Sequence, residues 1–135
     1  MMSWDIVLQI LVWTGVGAVV LFALMYLDSF FTKYKDIAEI KAGNTAVAIR
    51  LAMKLFAQGY ILSVSINTSW SLWEAVLVSV VSFVILLVLE QIARLLLKKI
   101  AGLDLDEGTR QGMVSHGLIG GALQLVGAFI ISASL

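Results

Sequence analysis

Four long runs of apolar residues, separated by short polar connections, dominate the chain. The runs cover about Ile6–Leu27, Thr45–Ile66, Leu72–Leu97 and Gln111–Ser132. Each is long enough for a helix to cross a hydrocarbon core of about 30 Å, because a helix rises about 1.5 Å per residue. The pattern predicts an all-α, polytopic membrane protein with four transmembrane helices, forming one domain over 1–135 in a lipid bilayer.

Composition supports this assignment and excludes several functional classes. Of the 135 residues 61% are hydrophobic and 13% are charged, about half of the roughly one quarter that is typical of soluble domains. The formal net charge is zero, so no nucleic-acid partner is expected. The chain has no cysteine, and it shows no nucleophile–base pair, phosphate-binding loop or ligand cluster. We therefore expect no enzymatic activity, no cofactor and no metal.

The three connections predict how the chain is oriented in the membrane. The first, about 28–44, has residues at helical spacing that predict a short amphipathic helix at the interface: Phe30, Tyr34, Ile37 and Lys41. The third, about 98–110, is a charged loop, and the second, Asn67–Ser71, is an uncharged turn. All basic residues lie in or beside the first and third connections. The positive-inside rule therefore predicts that both are cytoplasmic and that both termini lie outside.

The two halves of the chain share a layout. Gly43–Ile49 opens the second span, and Glu107–Met113 opens the fourth, 64 residues later. Each segment follows a long apolar run and a charged connection, and each leads into a helix rich in small residues. Because each half contains two spans, both halves have the same orientation. This predicts two parallel hairpin repeats, about 4–67 and 71–133, around an axis along the membrane normal.

The segments EIKAGNTAVAI (39–49), DEGTRQGM (106–113) and GLIGGALQLVGA (117–128) resemble the YjfL-like small inner-membrane proteins, catalogued as domain of unknown function 350. The resemblance covers essentially the whole chain. It implies a duplicated two-helix hairpin in the bacterial inner membrane, and it implies no established activity. The family tends to have small residues near positions 53 and 57. This chain has Met53 and Ala57 there, so the resemblance does not predict close packing at that face.

A stripe of polar residues runs along three of the predicted spans. At 100° per residue, Arg50, Lys54 and Gln58 lie on one side of the second span. Glu90 and Arg94 share a face of the third span, and His116 lies on a glycine-rich face of the fourth. Lys54 and Glu90 lie at similar depth, about 15 Å and about 12 Å from the cytoplasmic rim. A charge at the centre of a span costs about 2.5–3.5 kcal/mol. We therefore expect these residues to face the protein interior, with a surplus of positive charge.

The stripe has three interpretations. In the first, Lys54 pairs with Glu90 and stabilises the bundle, while Arg50 and Arg94 extend to the lipid headgroups. In the second, the residues line a cytoplasm-facing, water-filled vestibule that attracts anions or passes ions or small solutes. In the third, the cations bind anionic lipid headgroups.

The fourth span contains a histidine and several glycines. His116 is either a hydrogen-bonded packing residue or a proton-relay partner of Glu90, because histidine titrates near neutral pH. Gly117 and Gly121 form a G-x-x-x-G pattern that permits close helix approach, either within one bundle or between copies. The residues predicted to pack helices are Gly112, Gly117, Gly120 and Gly121.

Two features of the connections complete the local assignments. The acidic segment Asp104–Glu107 lacks the ligand spacing of a calcium loop, so we interpret it as a solvated loop. Asn44 precedes the second span and is a plausible N-cap residue.

Two classes of function remain open. The first is a small oligomeric channel or transport-like protein that uses Arg50, Lys54 and Glu90. The second is a non-conducting membrane accessory protein, in envelope maintenance or stress, that recruits partners. A polar stripe facing the common axis of an oligomer would favour the first, and a stripe sealed inside each chain would favour the second. We expect a homo-oligomer, because closed symmetric assembly is a common way to build a site from small subunits.

Overall fold

Helices account for nearly all of the structure, a computed structural model that describes residues 4–32 and 34–135. The six α-helices are α1 (Trp4–Asp28), α2 (Asp36–Lys41), α3 (Thr45–Thr68), α4 (Leu72–Ala101), α5 (Leu105–Arg110) and α6 (Val114–Ala133). One turn of 3₁₀-helix, Ser29–Phe31, extends α1. Four helices are long and apolar enough to cross a membrane: α1 with this extension, α3, α4 and α6. The predicted all-α class and the four spans are confirmed.

Side chains and glycine geometry define where the long helices begin and end. The Asn44 side-chain oxygen accepts a hydrogen bond from the backbone N–H of Val47 at 3.2 Å, so the predicted N-cap of α3 is confirmed. Ser71 caps α4 in the same way, by accepting from the N–H of Glu74 at 3.2 Å. Helix α4 ends at Gly102, whose φ of 67° is a left-handed conformation that favours glycine.

The first charged connection does not form one amphipathic helix. Phe30 lies in the 3₁₀ turn, Tyr34 lies in a bend, and only Ile37 and Lys41 belong to α2. Tyr34 is buried, with 6% of its surface exposed. The predicted helical spacing is therefore wrong over this segment, because the chain must turn between α1 and α2 and brings Tyr34 against the bundle.

The third connection is also folded. The solvated-loop prediction for Asp104–Glu107 is wrong, because Asp104 caps a short helix, α5, by accepting from the N–H of Glu107 at 3.2 Å. Leu105 and Asp106 are buried behind it. An acidic N-cap followed by glutamate three residues later resembles a capping box, and this signal could have identified the helix from the sequence.

Helices α3 and α6 form the most extensive interface in the bundle. A Cβ added at Gly117 would lie 2.6 Å from the carbonyl oxygen of Ala46, and one added at Gly121 would overlap the sulfur of Met53. The G-x-x-x-G pattern therefore serves packing within the chain. Close packing also occurs at Met53, because a glycine on the opposite helix accommodates the larger side chain.

Helix α1 is peripheral to the other three spans. In the most apolar window of each span, 6% of the α1 residues are buried, compared with 28–39% for α3, α4 and α6. A cleft of about 420 Å³ separates α1 from α3, and one of about 570 Å³ separates it from α4. Helices α3, α4 and α6 thus form the core of the bundle.

The same local structure occurs twice. A six-residue helix, a turn with a left-handed glycine and a long helix follow one another at α2–α3 and again at α5–α6. The two turn glycines are Gly43, with φ of 89°, and Gly112, with φ of 84°. Equivalent positions in the two halves therefore lie 69 residues apart, as do Trp4 and Trp73. The offset of 64 residues predicted from the sequence is five residues shorter than this. The arrangement of the halves around a membrane-normal axis stays a prediction.

Both charged connections lie at the same end of the bundle. The side-chain amide of Asn44 donates to the carbonyl oxygen of Thr109 at 3.1 Å and to that of Arg110 at 2.9 Å. These bonds join the start of α3 to the end of α5. The duplicated hairpin layout, and the side of the membrane on which this end lies, stay predictions.

Candidate functional site

The polar stripe on α3 faces the protein interior. Arg50 is 1% exposed, Lys54 is 2% exposed and Gln58 is 2% exposed. Their spacing along the helix places them on one side, and that side packs against α4, α6 and the end of α1. This side of α3 faces the interior of the bundle. The cations therefore do not line an open vestibule within one chain.

Lys54 forms an ion pair with Asp28. The distance from its ammonium nitrogen to the carboxylate Oδ2 is 2.6 Å, and the two side chains are 2% and 4% exposed. Asp28 is the last residue of α1. The structure thus pairs Lys54 with the end of α1 rather than with Glu90, because α1 continues one residue beyond the apolar run and directs its terminal acid towards α3.

Asp106 joins Arg50 and Arg94. Its Oδ1 lies 2.7 Å from Nη1 of Arg50 and 2.9 Å from Nη1 of Arg94, which also reaches Oδ2 at 2.9 Å. The two arginine side chains are 1% and 11% exposed. Both guanidinium groups are thus paired with an acid inside the bundle rather than exposed at its surface. Thr109 accepts a further hydrogen bond from Arg50 at 3.3 Å.

The electrostatic environment of Asp106 stabilises its carboxylate form. Burial alone would raise the pKa of Asp106, but the charges of Arg50 and Arg94 and their hydrogen bonds outweigh burial and lower it. Asp106 therefore stays ionised over the whole neutral range.

Tyr34 and Asp36 adjoin these charges from the first connection. The guanidinium carbon of Arg50 lies 5.9 Å from the centre of the Tyr34 ring, a cation–π distance. Burial raises the pKa of the Tyr34 hydroxyl, with Arg50 opposing the shift, so this hydroxyl keeps its proton. Burial likewise raises the pKa of Asp36, and the charge of Lys54 acts against that rise.

Glu90 is a third buried carboxyl group. It lies on α4, is 5% exposed, and is within electrostatic range of Asp28, Arg94, Lys54 and Arg50. Within residues 4–32 and 34–135, no cation forms a direct ion pair with it. Glu90 therefore adjoins the paired charges without being neutralised by a single partner.

Six buried or nearly buried charged residues form what we call the charged layer: Asp28, Arg50, Lys54, Glu90, Arg94 and Asp106. Three are acids and three are bases. The predicted surplus of positive charge is wrong, because it counted Glu90 alone against the three cations. The other two acids are Asp28, at the end of α1, and Asp106, near the start of α5. Both lie in segments predicted from the sequence to be parts of the connections.

Uncharged layers follow the charged layer along the bundle. Next to it lie the buried amides Gln58 and Gln124. An apolar layer comes next, formed by Ala57, Ile61, Leu86, Ala128 and Ile131. Beyond it lie four buried serines, Ser65, Ser79, Ser82 and Ser132. Polar side chains thus lie on both sides of an apolar layer that closes the interior of the bundle.

Comparison with known proteins identifies the family. The family model described as Domain of Unknown Function (DUF350) matches residues 1–135. The chain belongs to this family. Neither a curated protein nor a solved structure matches the chain. Membership in DUF350 therefore supports a membrane-spanning helical domain and leaves its function to be argued from the geometry.

The remaining predicted residues of this DUF350 chain lie near the start of α6. His116 is half-buried, its Nδ1 is 3.2 Å from the hydroxyl of Ser115, and its ring packs on Gly108, where a Cβ would overlap it. No described hydrogen bond links it to Glu90, so the geometry favours the packing interpretation. Gly120 packs against Arg50, because a Cβ added at Gly120 would lie 2.8 Å from Nε of Arg50. Gly112 forms the turn before α6.

Four residues of the site were not predicted from the sequence. They are Asp28, Tyr34, Asp106 and Thr109. The capping-box pattern at Asp104 could have indicated a folded segment around Asp106. No local pattern indicates that Asp28 or Tyr34 is buried, because both positions depend on how the first connection folds back over α3. Within the described parts of the chain, no group of three His, Cys, Asp or Glu side chains is arranged to hold a metal ion.

Proposed function

We propose that the protein is a non-conducting integral membrane protein that acts as an accessory component of the membrane, through its surfaces rather than as an enzyme. The observation that supports this proposal most directly is the closed interior of the bundle. The cations of the stripe are buried within the chain, and the apolar layer separates them from the serines at the other end.

The charged layer also disfavours permeation through a single chain. An ion entering from the charged end would compete with the Lys54–Asp28 pair and with the pairing of Asp106. Breaking a buried ion pair by removing one partner costs about 3–5 kcal/mol. The ion would then meet the side chains of Ile61 and Leu86, and a hydrophobic constriction opposes hydration.

Flux measurements test this proposal. Liposomes containing the purified protein should pass K⁺, Cl⁻ and H⁺ no faster than protein-free liposomes. Ile61→Ser opens the apolar layer and should raise the proton leak. The matched control is Leu89→Ser, because Leu89 lies on α4 but is 43% exposed on the outer surface of the bundle. Flux by the wild-type protein that Lys54→Met abolishes would overturn the proposal.

A transport-like function is the second candidate, and Glu90 is the observation that favours it. An ionisable residue inside a membrane is commonly part of an ion or proton path. Glu90 is buried beside the charged layer without a direct ion pair among the described residues. Proton flux that is present in the wild type and lost in Glu90→Gln would support this candidate over the accessory function.

We further propose that the accessory function uses a homo-oligomer. The cleft between α1 and α3 is lined by small residues that permit close helix approach, including Gly17, Ala18, Gly59 and Ser63. This cleft would accommodate a single helix of a second copy better than it would accommodate the broad surface of a whole bundle. The contact gives the loosely packed α1 a larger interface.

Cross-linking in membranes tests the oligomer. Since the chain contains no cysteine, Ser63→Cys places one thiol at the cleft, and Val81→Cys places one on the exposed surface of α4. We expect cross-linked dimers for Ser63→Cys and few for Val81→Cys. A strictly monomeric mass in lipid nanodiscs, with equal cross-linking of both variants, would contradict the proposal.

A further inference from the structure

The largest of the described cavities lies where α2 folds back between α1 and α3. Its volume is about 940 Å³, within the range of about 300–1,000 Å³ that is typical of ligand sites. Its walls are mostly apolar, and include Phe22, Met25, Phe30, Ile37, Leu51 and Leu55. The cavity is thus an apolar recess in the membrane-facing side of the bundle.

Polar groups lie at the α2 end of this cavity. Lys35 is exposed, and Tyr34 and Asp36 line the wall beside it. The Tyr34 side chain is 6% exposed, and its hydroxyl has no hydrogen-bond partner among the described residues. Lys35 is therefore the exposed cation at this end of the cavity.

The polar end lies outside the four long helices that could cross a membrane. Lys35 and α2 fall outside the predicted spans, between the end of α1 and the start of α3. The apolar walls formed by Phe22, Leu51 and Leu55 belong to the spans themselves. The cavity therefore changes from apolar to polar in the same direction as a lipid changes from acyl chain to headgroup.

We propose that this cavity binds one anionic phospholipid, with an acyl chain along the apolar wall and the phosphate at Lys35. Charge complementarity favours an anionic headgroup, because the exposed charge at the mouth is the Lys35 ammonium. Asp36 is half-buried, and Lys54 offsets its charge from the interior. The proposal does not rest on the conductance or the oligomeric state of the protein.

Lipid retention measured by native mass spectrometry tests this proposal. The purified full chain is exchanged into detergent with equal amounts of dioleoyl phosphatidylglycerol and dioleoyl phosphatidylcholine. We expect one molecule of phosphatidylglycerol to be retained in preference to phosphatidylcholine. Lys35→Gln should weaken that retention about tenfold, the effect of losing a charge-assisted contact.

Two further variants separate the headgroup contact from the apolar recess. Ala38→Trp should abolish retention by filling the cavity. Lys99→Gln is the matched control, because Lys99 is an exposed lysine at the end of α4 that does not line the cavity. Circular dichroism without added lipid checks that each variant folds. Equal retention of the two lipids, or equal losses for Lys35→Gln and Lys99→Gln, would overturn the proposal.

Discussion

The geometry of the ion pair between Lys54 and Asp28 allows a quantitative prediction about the free energy of unfolding. Lys54→Met and Asp28→Asn each remove one charge of a pair whose atoms lie 2.6 Å apart. Each substitution leaves the other charge buried without its direct partner. We expect both single variants to be strongly destabilised and the double variant to recover most of the loss.

The burial of both side chains sets the magnitude. With 2% and 4% of the side chains exposed, solvent screens the pair very little. Loss of one partner of a buried pair costs about 3–5 kcal/mol, whereas replacing both partners by uncharged groups is often nearly neutral. A coupling free energy of about 2 kcal/mol or more between positions 28 and 54 is therefore expected, within the range measured for residues in contact.

Unfolding in mixed detergent and dodecyl sulfate micelles, followed by circular dichroism, measures these free energies. The variants at positions 28 and 54 form one double-mutant cycle. A second double-mutant cycle, between Lys54→Met and Glu90→Gln, is the control. Glu90 is buried near Lys54 but does not pair with it directly, so its coupling to Lys54 should be clearly smaller. Additive losses for positions 28 and 54, together with strong coupling for positions 54 and 90, would refute the assigned pairing.

Three further predictions address the other parts of the molecule. The pKa of Asp106 is lowered below its ordinary value of 3.8. The contribution of Asp106 to stability is therefore complete above pH 3.8 and is lost as the pH falls through the lowered pKa. Asp106→Asn should destabilise the protein at pH 7 and should remove this acid transition from a pH series of unfolding curves. Gly121→Leu should disrupt the α3–α6 interface and lower Tm, whereas Gly15→Leu, at a glycine of α1 whose added Cβ meets nothing within 4 Å, should lower it much less. Single cysteines should react with an impermeant thiol reagent in intact cells at Ser69 but not at Lys35, and the reverse pattern would overturn the predicted topology.

The long spans could be predicted from the sequence because lipid imposes a strong requirement on them. Every residue in contact with acyl chains must be apolar, so the runs appear directly in the hydropathy pattern. The inward orientation of Arg50, Lys54 and Gln58 follows from the same requirement, since helical periodicity places them on one side. These predictions depend only on local sequence and on the solvent.

The partners of the charges could not be predicted in this way. Asp28 and Asp106 occur in polar segments where an acid is expected to be solvated, and nothing in their neighbourhood distinguishes them from exposed acids. Their burial depends on tertiary packing, at the end of α1 and in α5. Lys54 and Glu90 have similar depths along their helices, but depth alone does not determine which side chains meet.

The charged layer also accounts for how a peripheral helix obtains a defined position. Along α1 only Gly17, Leu24 and Asp28 are buried, and apolar contacts with α3 and α4 would permit several rotations and shifts of such a helix. Lipid competes equally well for its apolar side chains, so burial of apolar surface provides little drive for one position. The Lys54–Asp28 pair is directional, and it is lost if α1 rotates or shifts by a turn. A buried pair contributes little net stability compared with apolar packing. Its role in this fold is therefore best understood as selecting the position of α1 against α3, whereas α6 is positioned mainly by the close approach of its glycines to α3.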